Sequence, residues 1–187
     1  LFIDFGCKNK HVKKKLNKKL KLPWTEKYRP KKINNIILPD SIKAKIKRIV
    51  EEKDMPNIII TGHPGTGKTS TALCISKLIL GEKYEEGVME LNASDNRGLE
   101  IINNSIIHFC KKKLLIKECK HKIIILDEAD NITKKAQNSL ANLMEQYEKN
   151  TRFVFTCNDT SKITESIQSR CMIFRYHRMS DDFIKKE

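Results

Sequence analysis

Gly62-His63-Pro64-Gly65-Thr66-Gly67-Lys68-Thr69 follows the spacing G-x-x-x-x-G-K-[ST], the pattern of a loop that cradles phosphate. Its glycines let backbone N–H groups turn inward onto phosphate oxygens, and a helix opening at the lysine adds the positive end of its dipole. In this reading Lys68 reaches the β- and γ-phosphates of a bound nucleotide and the Thr69 hydroxyl ligates Mg²⁺. A second stretch, Ile123-Ile124-Ile125-Leu126-Asp127-Glu128, reads as a buried strand ending in two carboxylates. Asp127 would hold the Mg²⁺ side of the site. Glu128 is placed to polarise a water for in-line attack. The implied chemistry is phosphoryl transfer to water.

These groups need a scaffold that brings them to one place. The loop follows a β-branched run, Ile58-Ile59-Ile60-Thr61, and opens an apolar-periodic segment from Thr69 to Leu80, which is the strand–loop–helix context the motif requires. Upstream, Asp40 or Ser41 can N-cap a helix with Ile42, Ile46, Ile49 and Val50 on one face, ending near Asp54 before Pro56. The pattern then predicts strand 57–61, helix 68–80, strand 88–92, helix 99–112, strand 122–127, helix 133–147, strand 151–157, helix 162–169 and strand 171–175. Alternating strands and helices imply an α/β fold with a parallel sheet covered on both faces. Ligands of such sheets sit at the carboxyl ends of the strands, where the loop, Asp127, Glu128 and Asn158 all fall.

Composition narrows the partners. The chain has 187 residues and a formal net charge of +14. Residues 1–22 hold eight lysines and one aspartate, so half of that excess lies in one short basic extension, expected to be disordered. A basic surplus of this kind suits a polyanion such as DNA, or a solubilising or nuclear-import tail. The six cysteines show no C-x-x-C pair and no zinc-finger spacing, which argues against structural zinc and fits a reducing compartment such as cytosol or nucleus. No run approaches eighteen apolar residues, so no membrane partner is expected. The chain opens on Leu1 rather than Met, as a fragment or processed product would.

Pro23-Trp24-Thr25-Glu26-Lys27-Tyr28-Arg29-Pro30 reads as an extended arm laid over a domain, because each proline holds the residue before it out of the helical region. Such an arm serves as a domain-edge anchor or as one wall of a base pocket. This arm, with Met55-Pro56-Asn57-Ile58-Ile59-Ile60, Leu91-Asn92-Ala93-Ser94-Asp95, Asp127-Glu128-Ala129-Asp130 and Gln168-Ser169-Arg170-Cys171, closely resembles the replication factor C small subunits, sliding-clamp loaders of the AAA+ class. The likeness runs from Pro23 to about Asp182, with the blocks in family order.

The resemblance implies a five-stranded AAA+ P-loop core over residues 23–180 and the start of a helical lid at 181–187. It implies a hetero-pentamer with other clamp-loader subunits that uses ATP to open a ring-shaped clamp and set it on primer–template DNA in the nucleus. It also implies roles for matching positions. Thr25 and Ile37 correspond to residues on the base and ribose, with Tyr28, Arg29 and Pro30 alongside. Gly62, His63, Pro64, Gly65, Thr66, Gly67, Lys68, Thr69 and Ser70 match the phosphate loop. Asn158 matches a sensor that orients the attacking water or the γ-phosphate, and Arg170 matches a finger that reaches a neighbour's ATP. Arg97, Lys134 and Lys135 are candidate contacts to DNA phosphates. A second reading stays open, in which a non-catalytic module binds ATP as a switch, tethers DNA and lends Arg170 to the adjacent site. A third, a helicase loader or branch-migration motor, is opposed by the E-K-Y-R-P arm and the S-R-C block.

Overall fold

The computed structural model describes residues 30, 36, 38–94, 99–112 and 121–177. Thr25, Tyr28, Arg29, Ile37, Arg97, the lysine-rich residues 1–22 and residues 181–187 lie outside that set.

Five strands, β1 (Ile58–Gly62), β2 (Val88–Asn92), β3 (Lys122–Asp127), β4 (Thr151–Cys157) and β5 (Met172–Tyr176), pair in the order β2-β3-β4-β1-β5. Every pairing is parallel. Among the described residues the helices are α1 (Asp40–Glu52), α2 (Lys68–Leu80), α3 (Tyr84–Gly87), α4 (Leu99–Lys111), α5 (Lys134–Gln146) and α6 (Glu165–Gln168).

Strand periodicity divides the core into two layers. Ile58, Ile60, Ile123, Ile125 and Val154 pack with Ile42, Ile46 and Ile49 of α1 and Ala72, Ile75 and Ile79 of α2. Ile59, Ile124, Leu126, Phe153 and Phe155 pack with Ile106 of α4, Leu140 and Met144 of α5 and Ile167 of α6. Burial on both faces is why these strands read as unbroken apolar runs rather than alternating ones. The floor of the sheet, away from the carboxyl rim, is closed by Lys122. This residue is 2% exposed and donates its ammonium to the carbonyls of Phe109, Cys110 and Lys112, 2.7 Å from the Cys110 oxygen. It thereby satisfies carbonyls that the end of α4 leaves without helical partners.

Two local readings need correction. Neither Asp40 nor Ser41 caps α1. Pro39 occupies that position, and its carbonyl accepts from the N–H groups of Ile42 and Lys43. Asp40 lies in the first turn, where its charge complements the helix dipole. The helix expected over 162–169 is broken into a 3₁₀ turn, Thr160–Lys162, and the single turn of α6, with Ile163 and Thr164 extended between them. The cause is a buried glutamine on the facing helix. Gln137 accepts from the Thr164 N–H at 2.6 Å and donates to the Lys162 carbonyl at 2.9 Å, which holds the segment open.

Among the described residues no helix is long and apolar enough to cross a membrane, and no group of three or more His, Cys, Asp or Glu is arranged to hold a metal. Cys74, Cys110, Cys157 and Cys171 are free thiols.

Candidate functional site

The phosphate loop is shaped by close approach and by backbone handedness. Gly62, the last residue of β1, lies so near β5 that a Cβ there would stand 2.6 Å from the Tyr176 carbonyl oxygen and 2.8 Å from the Tyr176 Cβ. Gly67, in the N-cap position of α2, has φ +83°, a left-handed conformation that L side chains rarely adopt. Gly62→Ala is therefore expected to destabilise the chain by about 1–3 kcal/mol, the usual cost of forcing extra volume into a packed site. Urea unfolding of the two proteins checks this.

Around that loop the side chains converge. The Lys68 ammonium donates to the Gly62 carbonyl at 2.8 Å, the His63 carbonyl at 2.9 Å and the Asn158 Oδ1 at 2.9 Å. The Thr69 hydroxyl lies 2.9 and 3.1 Å from the two Asp127 carboxylate oxygens. Thus α2, the end of β3 and the residue after β4 meet at one rim of the sheet. Partial burial draws the Lys68 ammonium below the ordinary lysine value, against the pull of nearby acidic groups that include Asp127, Asp130 and Glu128. Burial also pushes the Cys157 thiol up. The His63 side chain, Pro64 and Gly65 face solvent, while Thr66 is buried and donates to the His63 carbonyl at 2.8 Å. Ser70 is half-buried in the first turn of α2.

Glu128 follows Asp127 with φ +54°, a left-handed turn that carries it off the strand and leaves its side chain exposed. Its carboxylate lies 3.4 Å from the Asn131 amide. The backbone N–H of Glu128 donates to the Thr156 hydroxyl at 3.2 Å, and that hydroxyl donates in turn to Asp127 Oδ1. Thr156 was not among the residues anticipated. The only signal for it is a polar residue in the otherwise apolar run Phe153-Val154-Phe155-Thr156-Cys157, two positions before Asn158 and so on the same strand face.

A cavity of about 260 Å³ opens beside the loop at the carboxyl ends of β1, β4 and β5. Gly62, His63, Asn158, Arg175, Tyr176 and His177 line it. The three residues from the end of β5 carry no motif, and sequence reasoning did not mark them. Pro30, the described end of the arm, accepts from the Cys74 thiol of α2 at 3.2 Å. That contact sets the arm's end against the helix that follows the phosphate loop.

Arg170 is set apart from this cluster. It lies just before β5, with its guanidinium 2.9 Å from the Ser166 carbonyl and 3.2 Å from a Glu145 carboxylate oxygen of α5. Its own carbonyl accepts from the Asn57 amide at 3.4 Å, and Asn57 also accepts from the Phe153 N–H at 2.9 Å. The backbone that bears Arg170 is thus tied to β1 and β4 while its side chain remains on the surface.

A cation, a hydroxyl–carboxylate pair, a side-chain amide and a glycine-rich turn at one strand rim suit a bound polyphosphate. Hydroxyl and carboxylate oxygens are also the donor set a hard cation such as Mg²⁺ takes.

Known proteins similar to this chain identify its family. Replication factor C subunit 4 of Saccharomyces cerevisiae is 47% identical over 167 residues, which are 89% of this chain and 52% of that protein. A replication factor C small subunit of Methanosphaera stadtmanae is 47% identical over 157 residues, 84% of this chain and 48% of that one. The chain therefore spans about half the length of the curated relatives it matches. Among solved structures, the Thermotoga maritima RuvB Holliday junction branch migration motor shares the fold with a TM-score of 0.61 at 15% identity, over 80% of this chain and 48% of that one. The family described as "ATPase family associated with various cellular activities (AAA)" matches residues 58–179. On that match, which takes in more than half of the sequence, the chain belongs to the AAA family of ATPases.

Proposed function

We propose that this chain is the nucleotide-binding core of a replication factor C small subunit, and that it hydrolyses ATP within a clamp loader. The observation that carries the reading is the meeting of Lys68, Thr69, Asp127 and Asn158 within hydrogen-bonding distance at the strand rim. The extent of identity to replication factor C subunits supports the choice within the AAA family.

In this reading Lys68 holds the β- and γ-phosphates and Asn158 turns from the Lys68 ammonium toward the γ-phosphate or the attacking water. Thr69 and Asp127 hold Mg²⁺, which when bound neutralises charge building on the phosphate oxygens. Glu128 orients and deprotonates the water. Thr25, Tyr28, Arg29, Pro30 and Ile37 serve the base and ribose. Most of the rate comes from positioning and charge stabilisation rather than covalent chemistry. The completing cation, Arg170, acts on a neighbour's nucleotide, so the isolated chain turns over slowly. Partners are other subunits of a hetero-pentamer, a ring-shaped clamp and primer–template DNA, with a nuclear location. Retention of Glu128 favours hydrolysis over a switch-only module.

The test is ATP turnover by the chain alone and with partner subunits, clamp and primed DNA. Stimulation by the full set supports the reading, and turnover that ignores partners and DNA sinks it. The basic extension gives a further expected result. Lys134 and Lys135 stand exposed at the start of α5, so they and residues 1–22 share the work of neutralising phosphate. Removing residues 1–22 should flatten the plot of log affinity for DNA against log salt by roughly 0.9 for each phosphate the extension had neutralised. An unaltered slope would make the extension irrelevant to DNA.

A further inference from the structure

We infer that Thr156 is a positioning residue for both carboxylate residues of the site, and that its hydroxyl sets how well Asp127 serves a magnesium-bound triphosphate. Thr156 is 1% exposed, in the centre of a parallel sheet. A valine would fill much the same space, and the flanking Phe155 and Cys157 are buried as well. The hydroxyl nevertheless uses both of its hydrogen-bonding capacities on the site. It donates to Asp127 Oδ1 and accepts from the Glu128 N–H at 3.2 Å.

The geometry explains why one hydroxyl matters to two acids. Thr69 approaches the Asp127 carboxylate from α2, and Thr156 approaches it from β4, so the group is braced from two sides. Without Thr156 the carboxylate keeps only the brace on the phosphate-loop helix. The Glu128 N–H loses its acceptor at the residue where the backbone turns left-handed. Partners that orient a ligating group typically change metal affinity or activity by 10–100-fold when removed, although they touch neither metal nor substrate.

This inference rests on the proposal that Asp127 faces Mg²⁺ in a triphosphate site. The experiment measures ATP binding to the full chain by calorimetry, with and without Mg²⁺, for the parent, Thr156→Val and Thr156→Ser. The parent binds ATP more tightly with Mg²⁺. Thr156→Val, which keeps the shape and deletes the hydroxyl, loses roughly 10–100-fold of that magnesium-dependent gain. Its affinity for metal-free ATP, made by the loop through Lys68, persists. Thr156→Ser restores most of what Thr156→Val loses. A full magnesium gain in Thr156→Val overturns the inference. Equal impairment of the valine and serine variants also overturns it, because packing of the methyl would then be the cause. Thermal melts show whether each variant is folded, and Thr156→Ala supplies the same deletion if the valine variant is not. A parent that shows no magnesium gain overturns the proposed site itself, and that failure is visible before any substitution is compared.

Discussion

Arg170→Ala is expected to slow ATP hydrolysis at the adjacent subunit of an assembled complex by roughly 10³–10⁵, while ATP binding at the chain's own site is preserved. The size follows from what a guanidinium supplied in trans contributes to phosphoryl transfer. It corresponds to about 4–7 kcal/mol of barrier. In this chain the guanidinium lies against Glu145 and the Ser166 carbonyl, on the surface and away from the Lys68–Asp127 cluster. The Glu145 pair does not compete with that gain. Its side chains are 41% and 70% exposed, and an exposed ion pair is worth at most about 1 kcal/mol. The side chain can therefore leave Glu145 and the Ser166 carbonyl for a neighbour's phosphates. The backbone that launches it stays fixed through Asn57, which anchors to β4 as well. Mixed complexes carrying the variant in one position check the assignment, with hydrolysis and binding measured site by site. A matching loss of binding at the chain's own site would refute action in trans.

Glu128→Gln is expected to lower turnover of the assembled complex by roughly 10²–10⁴, the range for loss of a positioned general base, and to leave ATP binding in place. The substitution is isosteric and the residue is exposed, so packing does not change. The hydrogen bond that holds this turn is made by the backbone N–H to Thr156, and glutamine retains it. The left-handed φ of +54° burdens glutamate and glutamine alike. The expected loss of rate is therefore chemical rather than a matter of folding, and matched melting curves for the two proteins would check this. A complex with full turnover would show that this site binds ATP without hydrolysing it.

What could be read from the sequence depends on how far apart the partners lie along the chain. The phosphate loop is contiguous, so Gly62 to Thr69 declare themselves and the strand and helix around them follow. The strands at 88–92, 122–127 and 151–157 lie over the residues the pattern predicts. Features set by packing across the fold were not legible. Gln137 on α5 holds Ile163 and Thr164 extended, so the helical periodicity after 162 is overridden from another element. Pro39 displaces the better side-chain caps at α1 because its carbonyl takes the first N–H groups. Thr156 matters only because β4 lies beside β3, and no local pattern reports that pairing. The cavity wall at Arg175, Tyr176 and His177 arises in the same way, from β5 crossing to the far side of β1.

The three oxygens around the Lys68 ammonium have a consequence for exchange of the nucleotide. An incoming anion meets a cation whose coordination is already complete, so it must substitute for internal acceptors rather than fill a void. Each hydrogen bond the guest would make is partly offset by one the host gives up. The same reserve ligands recapture the ammonium as spent product departs, so emptying the site does not strand a half-buried charge. If the site binds nucleotide as proposed, these acceptors would ease cycling between loaded and empty states at Lys68.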